Sequence, residues 1–352
     1  MRPSVICVTV SDDPTWRWIE NRLGHWGLNW EFARAAPQNA LERMVRRPNL
    51  SCLRAGFQAA QAAWKARTKG GDALIVAHGP MLIFWVAVFC RLLGVTPHML
   101  AHSFNFTDLP HGPRRKLLSR VLAEVPRFVV YSSFERDLYS EIFSIPRERF
   151  DVLLWPVRSP EPANPEVPYI SGEYVCAIGG NARDYATLLE CARLLPQRTF
   201  VLVVRPESLE GLDVPPNVRA HVNLPLGVTM NVLLHSQLMV LPLTSTEVPC
   251  GHVTLVAAMY LSRAIVSTAS EGVRDYVRDG DNALLIPDRD PSAMAKAVET
   301  LMVDRSMRDR MGRAGRSFVE KCCTEDRCVQ HFESWLGSFG LTPGTTSASM
   351  SG

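Results

Sequence analysis

Two hydrophobic patterns alternate along this chain. Val5-Ile6-Cys7-Val8-Thr9-Val10 is a continuous, β-rich run. Ala73-Leu74-Ile75-Val76-Ala77, "PHMLAH" (residues 97–102) and Phe128-Val129-Val130-Tyr131 repeat it. Such runs suit strands covered on both faces, as in a parallel sheet. Between them, residues 16–23, 52–67, 82–93 and 114–122 space their apolar positions at helical intervals. The alternation predicts α/β architecture around a parallel sheet. Residues 156–168 ("PVRSPEPANPEVP") then carry five prolines and read as a stiff linker. The rhythm restarts after it. Strands are expected at 174–178, 200–204, 218–222, 238–243, 264–268 and 282–287, with helices at 185–195, 291–302, 305–321 and 325–336. The tail "TPGTTSASMSG" is polar and small-residue-rich, the composition of a disordered end.

These patterns predict two Rossmann-like, doubly wound domains. In that architecture a ligand cleft lies between the carboxyl ends of the two sheets. The expected division is 1–157, 158–324, a final helix at 325–338 and a disordered tail at 339–352. A length of 352 residues agrees, being too great for one ordinary core. Hydrophobic residues make up 47% and charged residues 21%, as in a folded soluble protein. A net charge of only +3 argues against nucleic acid as the main partner. The nine cysteines are odd in number and contain no CxxC pair. Cys7, Cys90 and Cys176 sit in apolar runs as buried thiols. Cys322, Cys323 and Cys328 lack a second ligand pair for zinc. A reducing, cytoplasmic setting is expected. The N-terminus reads as a first strand rather than a signal peptide. The longest apolar run, "MLIFWVAVFC" at 81–90, is about half of a bilayer span and reads as a buried or interfacial helix.

Candidate chemistry gathers at strand ends. Cys250-Gly251-His252-Val253-Thr254 is a glycine turn entering a helix, between the strands at 238–243 and 264–268. The free N–H groups and dipole of a helix start favour an anion, and the Thr254 hydroxyl adds a donor. Gly179-Gly180-Asn181 forms a second turn, followed by Arg183, and Arg205 ends the strand "FVLVVR". His102 ends the strand "PHMLAH", with Asn105 and Asp108 just beyond it; an ordinary histidine pKa near 6.5 suits proton traffic. His78, before Gly79-Pro80, is a weaker candidate. Asp12 and Asp13 read as caps of a helix starting near Trp16. The cluster Arg114, Arg115, Lys116 beside the apolar helix is suited to an anionic membrane surface. The alternative is a buried helix with a solvated basic turn.

One combination carries more than its parts. Gly251, the Ala258-Met259 pair, the strand at 264–268, Glu271-Gly272-Val273 and "DYVRDGDNALLIPDRDP" (275–291) together resemble the group-1 retaining glycosyltransferases of the GT-B fold. "PHMLAHSFNFTDLP" and "RFVVYSSFERDLYSEIFSIPRERFDVLLWPV" extend the resemblance, which covers residues 1–337. It implies transfer of a sugar from a nucleotide sugar to a glycan or lipid-linked acceptor. No cofactor or metal is then needed, because backbone, hydroxyl and arginine hold the diphosphate. The resemblance assigns Gly180, Arg183, Arg205, Gly251, His252, Val253 and Thr254 to the donor. It assigns His102 to the reaction centre and the final helix to a crossing back onto the first domain. Asn105 and Asp108 are assigned to acceptor hydroxyls.

The chain departs from the family pattern in one respect. The family's two glutamates, seven residues apart, would fall at Pro249 and Ala257, and neither is acidic. Glu247 is the nearest surrogate for the sugar contact. The family's lysine on the helix after the first turn is also missing from "GGNARDYATL". Two other readings therefore stay open: a catalytically silent GT-B protein that binds a nucleotide or glycan as a partner, and a GT-B epimerase acting on a nucleotide sugar.

Overall fold

A computed structural model describes residues 3–38, 42, 44, 49–106, 108–244 and 250–344. The chain divides into two compact units, Met1–Leu153 with Glu325–Gly352, and Leu154–Thr324.

The first unit holds six strands: β1 (Ser4–Thr9), β2 (Asn29–Arg34), β3 (Ala73–His78), β4 (His98–His102), β5 (Arg127–Val130) and β6 (Phe150–Val152). All pair in parallel, in the order β2-β1-β3-β4-β5-β6. The apolar runs form the central strands because helices cover both faces. On one face pack the helices Leu50–Thr68, Pro80–Leu92, Gly112–Leu122 and Ser133–Phe143. The first two approach so closely that a Cβ on Gly56 would lie 2.7 Å from the Trp85 Cβ. On the other face, Cys328, Val329, Phe332, Trp335 and Leu336 of the helix Glu325–Gly337 join Val5, Leu74, Leu100 and Val129 in one core. The final helix therefore belongs to the first unit.

Two local expectations fail here. Residues 16–23 form no α-helix; the segment makes short 3-10 turns, Glu20–Arg22 and Gly24–Trp26. Gly27, at a φ of 60°, closes the second of them. Asp13 accordingly caps no helix. Its carboxylate accepts from the backbone N–H of Thr15 at 2.8 Å and from its hydroxyl at 2.6 Å, and Asp12 is simply exposed. The strand β2 ("NWEFAR") was not anticipated, because its polar residues break the apolar run at a sheet edge.

The second unit repeats the plan with β7 (Val175–Ile178), β8 (Phe200–Val204), β9 (Val218–Val222), β10 (Leu238–Leu241), β11 (Ala264–Thr268) and β12 (Leu284–Ile286). Their order is β12-β11-β10-β7-β8-β9, again all parallel. The chain winds outward in both directions from the β7/β10 pair. That pair is the switch point, and doubly wound sheets bind ligands beyond the carboxyl ends of the strands there. A helix not anticipated, Leu226–His235, supplies Asn231. The buried Asn231 amide donates to the carbonyls of Ala163, Asn164 and Val167, and its oxygen accepts from the Tyr169 N–H at 2.8 Å. The proline-rich segment is thus fastened onto the second unit.

Candidate functional site

The switch point of the second unit brings together Gly180, Arg183, Arg205, Gly251 and Thr254, with the backbone of His252 and Val253 beside them. After β7 the chain turns through Gly179, at a φ of 110°, and Gly180. The loop pairs with the one that follows β10. Thr244 N–H donates to the Ala182 carbonyl at 3.1 Å, and Asp184 N–H to the Pro242 carbonyl at 3.1 Å. Arg183 lies folded into this junction. Its guanidinium donates to the Asn181 carbonyl at 2.8 Å, the Ile178 carbonyl at 3.4 Å and the Thr254 hydroxyl at 3.1 Å. Burial depresses its pKa, without bringing an arginine near neutrality. Because the Thr254 oxygen accepts from Arg183, its own hydrogen is free to donate elsewhere.

The two glycines are there for the two arginines. A Cβ on Gly179 would meet the Arg183 Nη2 at 2.9 Å, and one on Gly180 would meet the Arg205 Cδ at 2.6 Å. Arg205 is exposed and donates to the Asn181 side-chain oxygen at 2.7 Å. Asn181, which the sequence reading passed over, therefore orients both cations, one by its carbonyl and one by its side chain. Its position in the turn between the two arginines was the available signal.

The helix His252–Tyr260 starts at the same edge, behind Gly251 at a φ of 97°. A Cβ on Gly251 would press on the Leu241 Cδ2 at 3.1 Å, so glycine is required for both conformation and space. Gly251 has no side chain to cap this helix start, and a helix start turns its first N–H groups outward, where an anion can meet them. The His252 side chain does not serve that role. Its Nε2 donates to the Gly272 carbonyl at 2.7 Å, its ring packs 4.9 Å from Tyr276, and burial holds it neutral. What His252 offers a ligand is its backbone. Val253 is 58% exposed and presents only backbone and an apolar side chain. Ala257 is buried in the apolar core of this unit. Glu247 and Pro249 lie outside the described residues.

The first unit presents different chemistry. His102 is only 4% exposed, and burial together with the neighbouring His78 holds its pKa well below the ordinary value. The expectation of a histidine titrating near 6.5 is corrected: this imidazole is neutral across the physiological range. Its Nδ1 lies 3.1 Å from the Ser103 hydroxyl, which in turn bonds Tyr131, and its Nε2 lies 3.8 Å from the Cys328 sulfur. Asn105 is not a free acceptor contact either. Its amide donates to the Glu135 carboxylate, which also accepts from the Tyr131 N–H. Glu135 and Ser132 cap the helix Ser133–Phe143, the Ser132 oxygen accepting from Glu135 N–H at 3.1 Å. Burial raises the Glu135 pKa to about 7. Asn105 thus holds the loop after β4, while Asp108 stands exposed on that loop.

Comparison with known proteins bears on the second unit most directly. Residues 206–318 match the family model of glycosyl transferases group 1. These residues are a group 1 glycosyl transferase domain. A lipopolysaccharide core biosynthesis glycosyltransferase, LpsE of Rhizobium meliloti (strain 1021), is 34% identical over 73 residues. That match spans 21% of each chain, so this chain aligns with about a fifth of its curated relative. The fold similarity reaches much further. Sucrose-phosphate synthase from Thermosynechococcus elongatus superposes with a TM-score of 0.74 at 15% identity, covering 97% of this chain and 100% of that one. Anabaena HepE, in complex with UDP-glucose, gives 0.67 at 13% identity over 95% and 99%. The lipopolysaccharide outer core galactosyltransferase WaaB gives 0.64 at 12% identity over 96% and 99%. The chain therefore has the GT-B fold, with one Rossmann-like domain in each unit.

The group 1 domain contains Gly251, His252, Val253 and Thr254 but begins one residue after Arg205. Gly180, Arg183 and Arg205 are joined to it by geometry, through the bond from Arg183 to Thr254. The position expected to carry a ribose-binding glutamate is instead the apolar, core-facing Ala257. Glu271, the acidic residue of the next turn, is exposed and pairs with Arg274 at 2.9 Å.

Proposed function

We propose that this chain is a glycosyltransferase. It moves a sugar from a nucleoside-diphosphate sugar, held by the second unit, to a glycan or lipid-linked acceptor held by the first. The observation that carries this reading is the anion seat at the β7/β10 switch point. Two arginines lie along two glycines there, beside a helix start behind Gly251 and a hydroxyl with a hydrogen to give. A departing nucleoside diphosphate gains negative charge as the glycosidic bond breaks. Preorganised cations and N–H groups stabilise that charge more in the transition state than in the ground state. All of this stabilisation comes from the protein, so transfer is proposed to be metal-independent. Retention of anomeric configuration is proposed on the resemblance of the sequence motifs. The similarity to LpsE and WaaB, both lipopolysaccharide core glycosyltransferases, favours a glycan acceptor.

The experiment pairs binding with turnover. Melting is followed with UDP, GDP and their common sugar conjugates, since a ligand of the native state raises its stability. Release of free nucleotide from the stabilising conjugate is then measured with and without delipidated lipopolysaccharide core. Stabilisation and release together support a transferase. Stabilisation with no release favours the silent binding protein, a reading kept open by the apolar Ala257. No stabilisation by any conjugate overturns both.

No helix among the described residues is long and apolar enough to cross a membrane. We propose a peripheral position on an anionic cytoplasmic membrane face. The helix Gly112–Leu122 supports this: it carries Arg114, Arg115, Lys116 and Arg120, has no acidic residue, and leaves Leu117 53% exposed. Sedimentation with phosphatidylglycerol vesicles, but not with phosphatidylcholine vesicles, is the expected result.

A further inference from the structure

The amino edge of the second sheet, opposite the anion seat, holds a hollow of about 390 Å³. Its wall is built where three strands begin. Glu173 precedes β7, Gln237 precedes β10, and Ser262 and Arg263 precede β11. Arg305, Arg308 and Asp309, at the start of the helix Arg305–Cys322, close the other side. The two sides are held in register, because a Cβ on Gly312 of that helix would collide with the Ser262 carbonyl oxygen. Every side chain on the wall is charged or polar.

Three observations set this hollow apart from an ordinary charged surface. First, its arginines are held by carbonyls rather than by carboxylates. Arg263 donates to the Leu261 and Ser236 carbonyls, each at 2.9 Å, and Arg308 to those of Leu301 and Met302 at 2.7 and 3.1 Å. Arg305 makes a loose ion pair, 3.6 Å from Asp309. Burial lowers the Arg263 pKa, and a cation drawn out of water in this way is normally paired with an anion. Second, Arg305 and Arg308 occupy the first turn of a helix that has no acidic residue there, although a helix start favours anions and not cations. Third, Ser262 stands at a φ of 56° just beyond the helix His252–Tyr260, a place where glycine is the usual residue. Serine there accepts backbone strain and brings a hydroxyl to the wall, beside the Gln237 amide.

We propose that this hollow binds a small phosphorylated, polyhydroxylated molecule, of the chemical class of a sugar phosphate, with its phosphate on Arg263, Arg305 and Arg308. Guanidinium forks match phosphate oxygens in pairs, and the Ser262 hydroxyl adds a further donor. The space equals that of about a dozen waters, more than a bare phosphate fills. The rest of the wall suits hydroxyl groups: Glu173 and Asp309 accept from them, and the Gln237 amide both donates and accepts. No lining side chain is apolar, so a nucleobase or an acyl chain would find no surface to pack on. The bound phosphate offsets the charge of Arg263 and of the two cations at the helix start. The site lies at the edge of the sheet away from the donor seat and does not rest on the transferase reading.

The test is calorimetric titration of the full chain with glucose 6-phosphate, inorganic phosphate and glucose. The ester should bind at least about tenfold more tightly than inorganic phosphate, through its hydroxyls, and glucose should give no signal. Arg263→Lys should weaken the ester at least about tenfold, because an ammonium cannot hold two carbonyls and fork a phosphate. Since Arg263 also ties the turn together, two gentler variants stand beside it. Ser262→Gly suits the left-handed backbone, should melt no lower than the parent, and should weaken the ester by about threefold to tenfold. Arg305→Gln, at an exposed position, should do the same. The nucleotide seat of the same unit could also take a phosphate, so Arg205→Ala is the control and should leave the affinity unchanged. No binding of the ester overturns the proposal, as does unchanged affinity in both Ser262→Gly and Arg305→Gln. Loss of binding in Arg205→Ala assigns the ester to the nucleotide seat and overturns it too. Inorganic phosphate or glucose binding as tightly as the ester overturns the ligand class. None of these outcomes touches the transferase reading, which is tested with nucleotide conjugates.

Discussion

The two sheets are both six-stranded and parallel, yet their carboxyl edges carry opposite chemistry. In the second unit, cations lie over glycines, and Arg205 is open to solvent. In the first, neutral imidazoles lie beneath tryptophans, and His102 is closed from it. The winding of the sheet fixes where a ligand can meet strand ends. The side chains placed there decide what chemistry such a ligand would meet. The glycines show how the difference is built. Gly179 and Gly180 have no side chain because the arginines occupy that space, and a fixed cation needs such a bed to stay aimed.

The sharpest way to break the comparison is at Arg183. Arg183→Ala removes a guanidinium that joins the β7 turn to the helix carrying Thr254. Truncating a half-buried guanidinium that donates a charge-assisted bond costs about 1.5–3 kcal/mol, so UDP affinity measured by calorimetry should fall by at least that amount, with a lower melting temperature. Arg183→Lys should not restore it, because an ammonium cannot reproduce a planar fork aimed at three acceptors. If melting falls while affinity holds, Arg183 is a staple of the loop and the contrast between the edges weakens.

A smaller effect is expected at Arg205, which is exposed and whose guanidinium donates to Asn181. Arg205→Ala should weaken UDP binding by about 1.5–3 kcal/mol, the range of a charge-assisted bond, with melting unchanged. Gly180→Ala should act in the same direction and more weakly, since the new Cβ displaces a flexible arginine rather than backbone. Gly251→Val is a poor probe of the anion seat. At a φ of 97° and against Leu241, valine strains the fold itself, and lost activity would follow from lost structure.

The second unit was the more legible of the two edges, for a physical reason. Arg183, Arg205, Gly180 and Thr254 stand within a few residues of strand ends or a helix start, where local pattern and backbone chemistry suffice. The buried strands were legible on the same ground, as unbroken apolar runs. The environment of His102 was not. Its cover comes from Trp18, eighty-four positions earlier, and its Nε2 faces Cys328 on the final helix. No local pattern reports such long-range burial, so the proton-carrying role read for His102 rested on an ordinary pKa that folding removes. The loop carrying Trp16 and Trp18 was itself read as helix, because its apolar spacing is helical while the strain at Trp18 is visible only in the fold.

The smallest effect sharpens the contrast from the neutral side, through stability against pH. Burial lowers the His78 pKa from 6.5 to about 3, and His102 shifts the same way. Below pH 6.5 the unfolded chain binds protons that the folded chain refuses. The stabilisation from these groups is therefore complete above about pH 6.5 and is lost as pH falls toward 3. Glu135 works in the opposite sense. Its carboxyl is raised from 4.5 to about 7, so the folded chain holds a proton the unfolded chain has released, and its contribution is lost as pH rises through that interval. Between pH 4.5 and 6.5 the one carboxyl partly offsets the two imidazoles, so melting temperature should fall less steeply there than below 4.5. Below 4.5 the imidazoles act without that opposition. Glu135→Gln should therefore steepen the decline between 6.5 and 4.5, and His78→Phe should flatten the acid limb below it. Melting curves taken across pH 3.5 to 8 for the three proteins check both. An acid limb identical in His78→Phe and the parent would mean that His78 protonates freely in the folded chain, and the first edge would then be no more closed than the second.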